Sequence, residues 1–284
     1  MATKSLGTLV KETIMFAKRQ AAALAIGAVV FGLLSQGLNS WHRTVVESRL
    51  QSITGMGMQQ DDKDRVEELT QKAKTGQLTE ADQQELTQRM QKMAANFVQA
   101  GGLKLLLGSF LSVLGFSVLF ALSMIVAQTY FVVVAVKETT DAGSAVKQTL
   151  QWFFPVLGLL IWAYLRSFAW IPFVGVITAI VIGPRLLLAP LFLMEQGKGV
   201  FESTRLSYQA TRGYWGKIFG NGLAVGICLA ILLAVVSAVT AQLFGLVVGS
   251  FVGVIIGLCL ISAAVIFSVR MARTVLENAR PANA

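Results

Sequence analysis

Few residues in this chain could do acid–base or nucleophilic chemistry, and they stand apart from one another. The one histidine, His42, follows Trp41 and has no partner at a metal-ligand spacing. It reads as a polar residue at a membrane boundary rather than a base or a ligand. Cys228 and Cys259 lie deep in apolar runs, so neither a structural disulfide nor metal ligation is expected of them. The acidic run Asp61, Asp62, Asp64, Glu67 and Glu68 lacks the alternating oxygen ligands and central glycine of a calcium loop. It reads as the solvated start of a helix. With no glycine-rich phosphate loop and no base beside a serine, the expectation is no catalytic residue, no metal, no cofactor and no enzyme.

The chemistry that remains is charge recognition. Arg185 sits between Pro184 and an apolar run that ends at Met194, with no Asp or Glu inside any apolar stretch to neutralise it. An arginine at membrane depth costs a few kcal/mol or more, by rough estimate, unless it meets an anion, freed carbonyls or the interface. Lys11, Lys147 and Arg205 recur at matching places in three similar segments, Leu6–Thr13, Ala142–Thr149 and Val200–Ser207. Thr13, Thr149 and Ser207 follow two residues later, about 200° around a helix, and are placed to bond nearby backbone rather than the same ligand. Each segment reads as an amphipathic helix in the headgroup region, in a unit of interfacial helix and two spans repeated three times. Arg185, Lys11, Lys147 and Arg205 are the residues expected to contact anionic phospholipid or another anion.

What must position these cations is a membrane fold. The 284 residues are 55% hydrophobic and only 14% charged, with mean hydropathy +0.65. A soluble domain carries roughly a quarter charged residues, so the composition excludes a large soluble catalytic domain. The net charge of +9 accompanies apolar runs, which points to topology and anionic lipid rather than nucleic acid. Taking about 20 apolar residues per span, we expect an all-α polytopic protein of about six spans. The first runs near 21–38, one long helix over 103–136 is the second, and the third begins at Trp152 with Pro155 in its first turn. The fourth covers 171–194, and two more lie between Ile218 and Phe267, turning near Gln242. The organisation is an interfacial helix and first span over 1–39, an extramembrane helical hairpin within 40–101, five spans over 102–270 and a tail over 271–284. In the hairpin Thr79 and Asp82 form a capping-box-like start.

The last two spans carry small residues every fourth position. Gly222, Gly226, Ala230, Ala234 and Ala238 form one stripe, and Ala241, Gly245, Gly249, Gly253 and Gly257 the other. Such stripes let backbones approach closely in lipid. They favour a tight hairpin with the two stripes facing, and they also suit a homo-oligomer or a membrane-protein partner.

The stretch Arg185, Pro190, Glu195, Gly197, Gly199, Ser203, Arg205, Ser207 and Trp215 resembles a pattern in bacterial six-span membrane proteins of poorly defined function. These are related to the membrane domain attached to some glycerophosphodiester phosphodiesterases. The resemblance covers roughly residues 100–270 and implies a fold more than an activity, because that family's phosphodiester chemistry resides in a separate soluble domain. The segment 40–101 departs from the pattern. The function expected is a structural, assembly or lipid-interacting component of a bacterial inner membrane, with a repeat-built transporter or channel as the alternative.

Thirteen basic residues fall at the termini and on one set of short loops, against Arg166 alone on the opposite turns. The positive-inside rule then places both termini in the cytoplasm. In a variant lacking Cys228 and Cys259, Thr75→Cys should react with a membrane-impermeant thiol reagent on intact cells and Arg280→Cys should not; the reverse pattern contradicts the orientation.

Overall fold

The computed structural model describes residues 4–55, 60–75, 79–99, 101–168, 178 and 180–279. Every regular element among them is helical: α1 (Leu6–Arg19), α2 (Ala21–Gly55), α3 (Gln60–Lys74), α4 (Glu80–Gln99), α5 (Gly102–Lys137) and α6 (Ala142–Phe168). A 3-10 turn (Gly183–Leu186), α7 (Ala189–Glu195), α8 (Val200–Ala210) and α9 (Trp215–Ala279) follow. Among the described residues five stretches are long and apolar enough to cross a membrane: Ala21–Ser48, Gly102–Lys137, Ala142–Arg166, Trp215–Gly245 and Val248–Asn278. Contacts divide the chain into two units, Gly37–Ala121 and the combination of Met1–Gln36 with Leu122–Ala284.

The single helix α5 agrees with the expectation for 103–136. Other boundaries differ. The polar segment expected from residue 40 begins instead as a continuation of α2, which runs to Gly55. Pro155 lies well inside α6, because the amphipathic segment and the apolar run behind it form one continuous helix. The span expected over 171–194 lies partly outside the described residues. Its described part is broken, with 180–182 helical, then the 3-10 turn, then α7.

Within the unit Gly37–Ala121, α3 and α4 are joined by a two-pronged ion pair. Arg65 Nε and Nη2 donate to the Glu85 carboxylate at 3.2 and 2.9 Å, and Leu69 beside it is fully buried. Bonds from Arg65 and Arg89 hold the Glu85 carboxyl below the usual glutamate range. The expected capping box is present: Asp82 N–H donates to Thr79 Oγ1 at 3.2 Å, and Thr79 N–H to Asp82 Oδ2 at 3.1 Å. His42 lies flat on Phe116 with ring centroids 3.9 Å apart.

In the other unit the second half of α5 is the centre of the core. Tyr130, Phe131, Val133, Val134 and Ala135 are buried, and Tyr130 Oη donates to the Ala23 carbonyl of α2 at 2.7 Å. The Tyr130 ring fills the space at Gly27 that any larger residue would take.

The helix ends of this unit meet at Arg273. Its Nη2 donates to the Val136 carbonyl at 2.7 Å and to Glu195 Oε1 at 2.9 Å, while Nη1 bonds Glu138. Lys137 Nζ reaches the Met194 carbonyl at 2.6 Å, and Arg270 lies 4.4 Å over the Phe16 ring of α1. The last carbonyls of α5 and α7 have no helical donor, so cations are the groups that satisfy them. Glu138 follows α5 with φ 53°, a left-handed position where glycine is the usual residue. Its side chain carries the ion pairs that a glycine would lack. Burial alone would push the Glu138 carboxyl up, but the bond from Arg273 and the charges of Arg270, Arg273 and Arg19 outweigh it, so the group titrates below the ordinary glutamate value.

The last two spans form a hairpin, as expected, but its turn is at Gly245 (φ 73°, ψ 174°). Only one stripe packs inside it. An atom added to Gly249 would lie 2.6 Å from the Thr240 carbonyl oxygen, and Gly253 and Gly257 face Thr240 and Leu233. Gly222 and Gly226 have open space around them and are exposed. The two stripes therefore do not face each other. The second fits the Leu233, Ser237, Thr240 side of the first arm, whose hydroxyls and backbone leave room for it.

Two predictions follow from this packing. Gly249→Ala should destabilise the protein in detergent by about 1–3 kcal/mol through overpacking against backbone. Gly226→Ala should be neutral or raise the melting temperature, since alanine exceeds glycine in helix propensity by about 1 kcal/mol. Because the folded-state pKa of Glu138 is depressed, its contribution to stability is complete above the unfolded value and is lost as pH falls through the folded one. Melting temperature followed against pH should therefore decline on acidification in the native protein, and Glu138→Gln should flatten that part of the decline.

Candidate functional site

Proline at 184 has no N–H to continue the helix of 180–182, and the chain tightens into a 3-10 turn before α7 starts at Ala189. A break of this kind inside an apolar region leaves peptide groups that must find partners within the protein. Side chains from α8 and α9 provide them. Ser207 Oγ donates to the Arg185 carbonyl at 2.6 Å and accepts from the Leu188 N–H at 3.1 Å. Thr211 Oγ1 donates to the Ser207 carbonyl at 2.8 Å and approaches the Arg185 carbonyl at 3.4 Å. Trp215 Nε1 donates to the Val181 carbonyl at 3.1 Å. Ser203, Ser207 and Thr211 recur every fourth residue, so they share one face of α8 and its C-terminal turn, and all three are buried.

Holding the break against α8 sets Arg185 beside that helix. The guanidinium carbon of Arg185 lies 5.1 Å from the centroid of the Tyr208 ring, and that of Arg166, at the end of α6, lies 4.8 Å from the same centroid. Both are within the range of cation–π attraction. Arg205 and Arg212 line the same cavity, of about 720 Å³, with Thr204, Gln209, Trp162 and Phe201. Among the described residues no acid lines it. Trp162 and Phe201 meet edge to face at 4.8 Å, and Phe201 is 67% exposed.

Of the four expected anion contacts, Arg185 and Arg205 come together here. Lys11 and Lys147 are exposed on α1 and α6 and do not line the cavity. Lys147 lies nineteen residues before Arg166 on one helix, roughly 28 Å at 1.5 Å per residue. Arg166 corrects an expectation: it shares a cavity with Arg205, so the two cannot lie on opposite faces of a hydrocarbon layer about 30 Å thick. Arg212 and Tyr208 are further site residues, and the sequence carries a signal for them, since 205, 208 and 212 fall at helical spacing. Trp170, four residues after Arg166 in the sequence, lies outside the described residues.

The three similar segments present comparable faces. Leu9, Ala145 and Ser203 are buried, as are Thr13, Thr149 and Ser207, while Lys11, Lys147 and Arg205 are exposed. Thr13 Oγ1 donates to the Leu9 carbonyl at 2.8 Å and Thr149 Oγ1 to the Ala145 carbonyl at 2.7 Å, each one turn back in its own helix. Ser207 is the exception, because the broken segment beside it offers unpaired peptide groups.

The chain is an all-α membrane protein with a basic cavity at the junction of α6, the 3-10 turn and α8. No family model, curated protein or solved structure matches it.

Ser207→Ala removes the shared partner of the half-buried Arg185 carbonyl and the buried Leu188 N–H and should cost about 1–3 kcal/mol. Thr13→Ala and Thr149→Ala delete bonds to carbonyls of intact helices and should cost less. Melting temperatures of the three variants in one detergent check the order.

Proposed function

We propose that this protein is a non-enzymatic, lipid-interacting structural or assembly component of a bacterial cytoplasmic membrane. It engages anionic phospholipid through Arg185 and Arg205. The observation that carries the reading is their convergence in a cavity with no acid among its described lining residues. Lys11 and Lys147 act as separate contacts with the anionic surface and as orientation signals. The termini and the basic cavity lie on the cytoplasmic side, with α3 and α4 outside. The shared burial pattern of α1, the start of α6 and α8 supports a threefold unit, in keeping with the resemblance to six-span membrane proteins. The exposed stripe of Gly222, Gly226 and Ala230 is the face available to a second copy or a membrane-protein partner.

The test is lipid retention by native mass spectrometry of the full chain in mild detergent. The native protein should retain phosphatidylglycerol over phosphatidylethanolamine. At about 1 kcal/mol per cation near an anionic surface, Arg185→Gln with Arg205→Gln should reduce that preference by roughly 2 kcal/mol, on the order of 30-fold. Equal retention of the two lipids by the native protein contradicts the reading.

A further inference from the structure

The geometry points to a dianionic phosphate, a phosphomonoester or diphosphate head on an apolar tail, as the ligand of the cavity formed by Arg166, Arg185, Arg205, Arg212 and Tyr208. This deepens the anionic-lipid reading and rests on it.

Charge is the first argument. Four cations elsewhere in this unit have counter-ions: Arg270 and Arg273 meet Glu138, Arg273 also meets Glu195, and Lys198 and Lys4 meet Glu202 and Glu12. Among the described residues none of the four cavity arginines makes an ion pair. Four like charges around one space repel, and a phosphodiester monoanion would neutralise one of them. A phosphomonoester or diphosphate brings two or more charges and enough oxygens for several guanidinium forks, which match phosphate oxygens in pairs.

Geometry is the second. Tyr208 holds Arg166 and Arg185 by its ring, at 4.8 and 5.1 Å. The two guanidiniums are thereby gathered without an acid and without consuming their N–H donors. The volume of about 720 Å³ suits a head larger than a single phosphate. One wall is aromatic, with Phe201 exposed against Trp162, and the buried indole N–H of Trp162 has no hydrogen-bond partner among the described residues. An amphipathic ligand fits both walls: phosphate on the arginines and apolar chain along Phe201.

Native mass spectrometry of the full chain, offered phosphatidic acid and phosphatidylglycerol in equal amount, tests the assignment. The expected result is a preference for phosphatidic acid of about tenfold or more, equivalent to roughly 1.4 kcal/mol. The preference should be lost in the Arg166→Gln, Arg212→Gln double variant, with each single variant falling between. Inorganic pyrophosphate separates the sources of the phosphate. Displacement of phosphatidic acid by it supports recognition of the phosphate alone, and retention of the lipid supports a tail-borne head. Equal retention of phosphatidic acid and phosphatidylglycerol, with both lost in the Arg185→Gln, Arg205→Gln variant, overturns this inference and leaves the broader lipid reading standing. Retention of every anionic lipid unchanged by all four substitutions overturns both.

Discussion

The basic cavity depends on the repair of one broken stretch of backbone. Between Ile182 and Ala189 the break leaves the Arg185 carbonyl and the Leu188 N–H to partners outside the segment, and in an apolar surrounding each unpaired group is costly. Ser207 meets a carbonyl with its proton and an N–H with its lone pair, at 2.6 and 3.1 Å. Two hydrogen bonds from one hydroxyl fix the turn to α8, and Arg185 is carried on that turn. The arginine stands beside Arg205 because the backbone holding it is bonded to the residue two positions beyond Arg205.

Arginine does two different jobs in this unit, and the surroundings decide which. At the junction of α5, α7 and α9, Arg273 donates three hydrogen bonds, to Glu138, Glu195 and the Val136 carbonyl, inside the protein. It is a tie between helix ends. At the other site four arginines face a cavity with one tyrosine and, among the described residues, no acid and no ion-pair partner. A paired cation stabilises the fold, whereas an unpaired group of cations is held in place by the fold and calls for an anion from outside. Lys11 and Lys147, exposed on separate helices, do not join that group.

The membrane class, the long α5, the capping box at Thr79 and the hairpin of the last two spans were legible in the sequence because each rests on a local or compositional signal. The cavity was legible in half. Arg185 stood out as a charge inside an apolar run, and Arg205 as one of a recurring set. Arg166 did not, because counting spans placed it on the far side of the membrane, and no local pattern reports that the chain after it is broken at Pro184. The glycine stripes show a similar limit. Spacing identifies a smooth face but not what it meets, so Gly249 and Gly253 pack while Gly222 and Gly226 lie exposed. Gly27, which admits the Tyr130 ring, has no repeat to announce it.

The central claim is that Ser207 holds the broken segment to α8 and thereby forms the cavity. A spin-label distance between Gly183→Cys and Gln209→Cys, in a chain lacking Cys228 and Cys259, measures this most directly, because both positions are exposed and flank the bond. The account predicts a single narrow distance distribution that broadens when Ser207 is replaced by alanine. A distribution that is already broad with Ser207 present, or one that is unchanged by its removal, would contradict it.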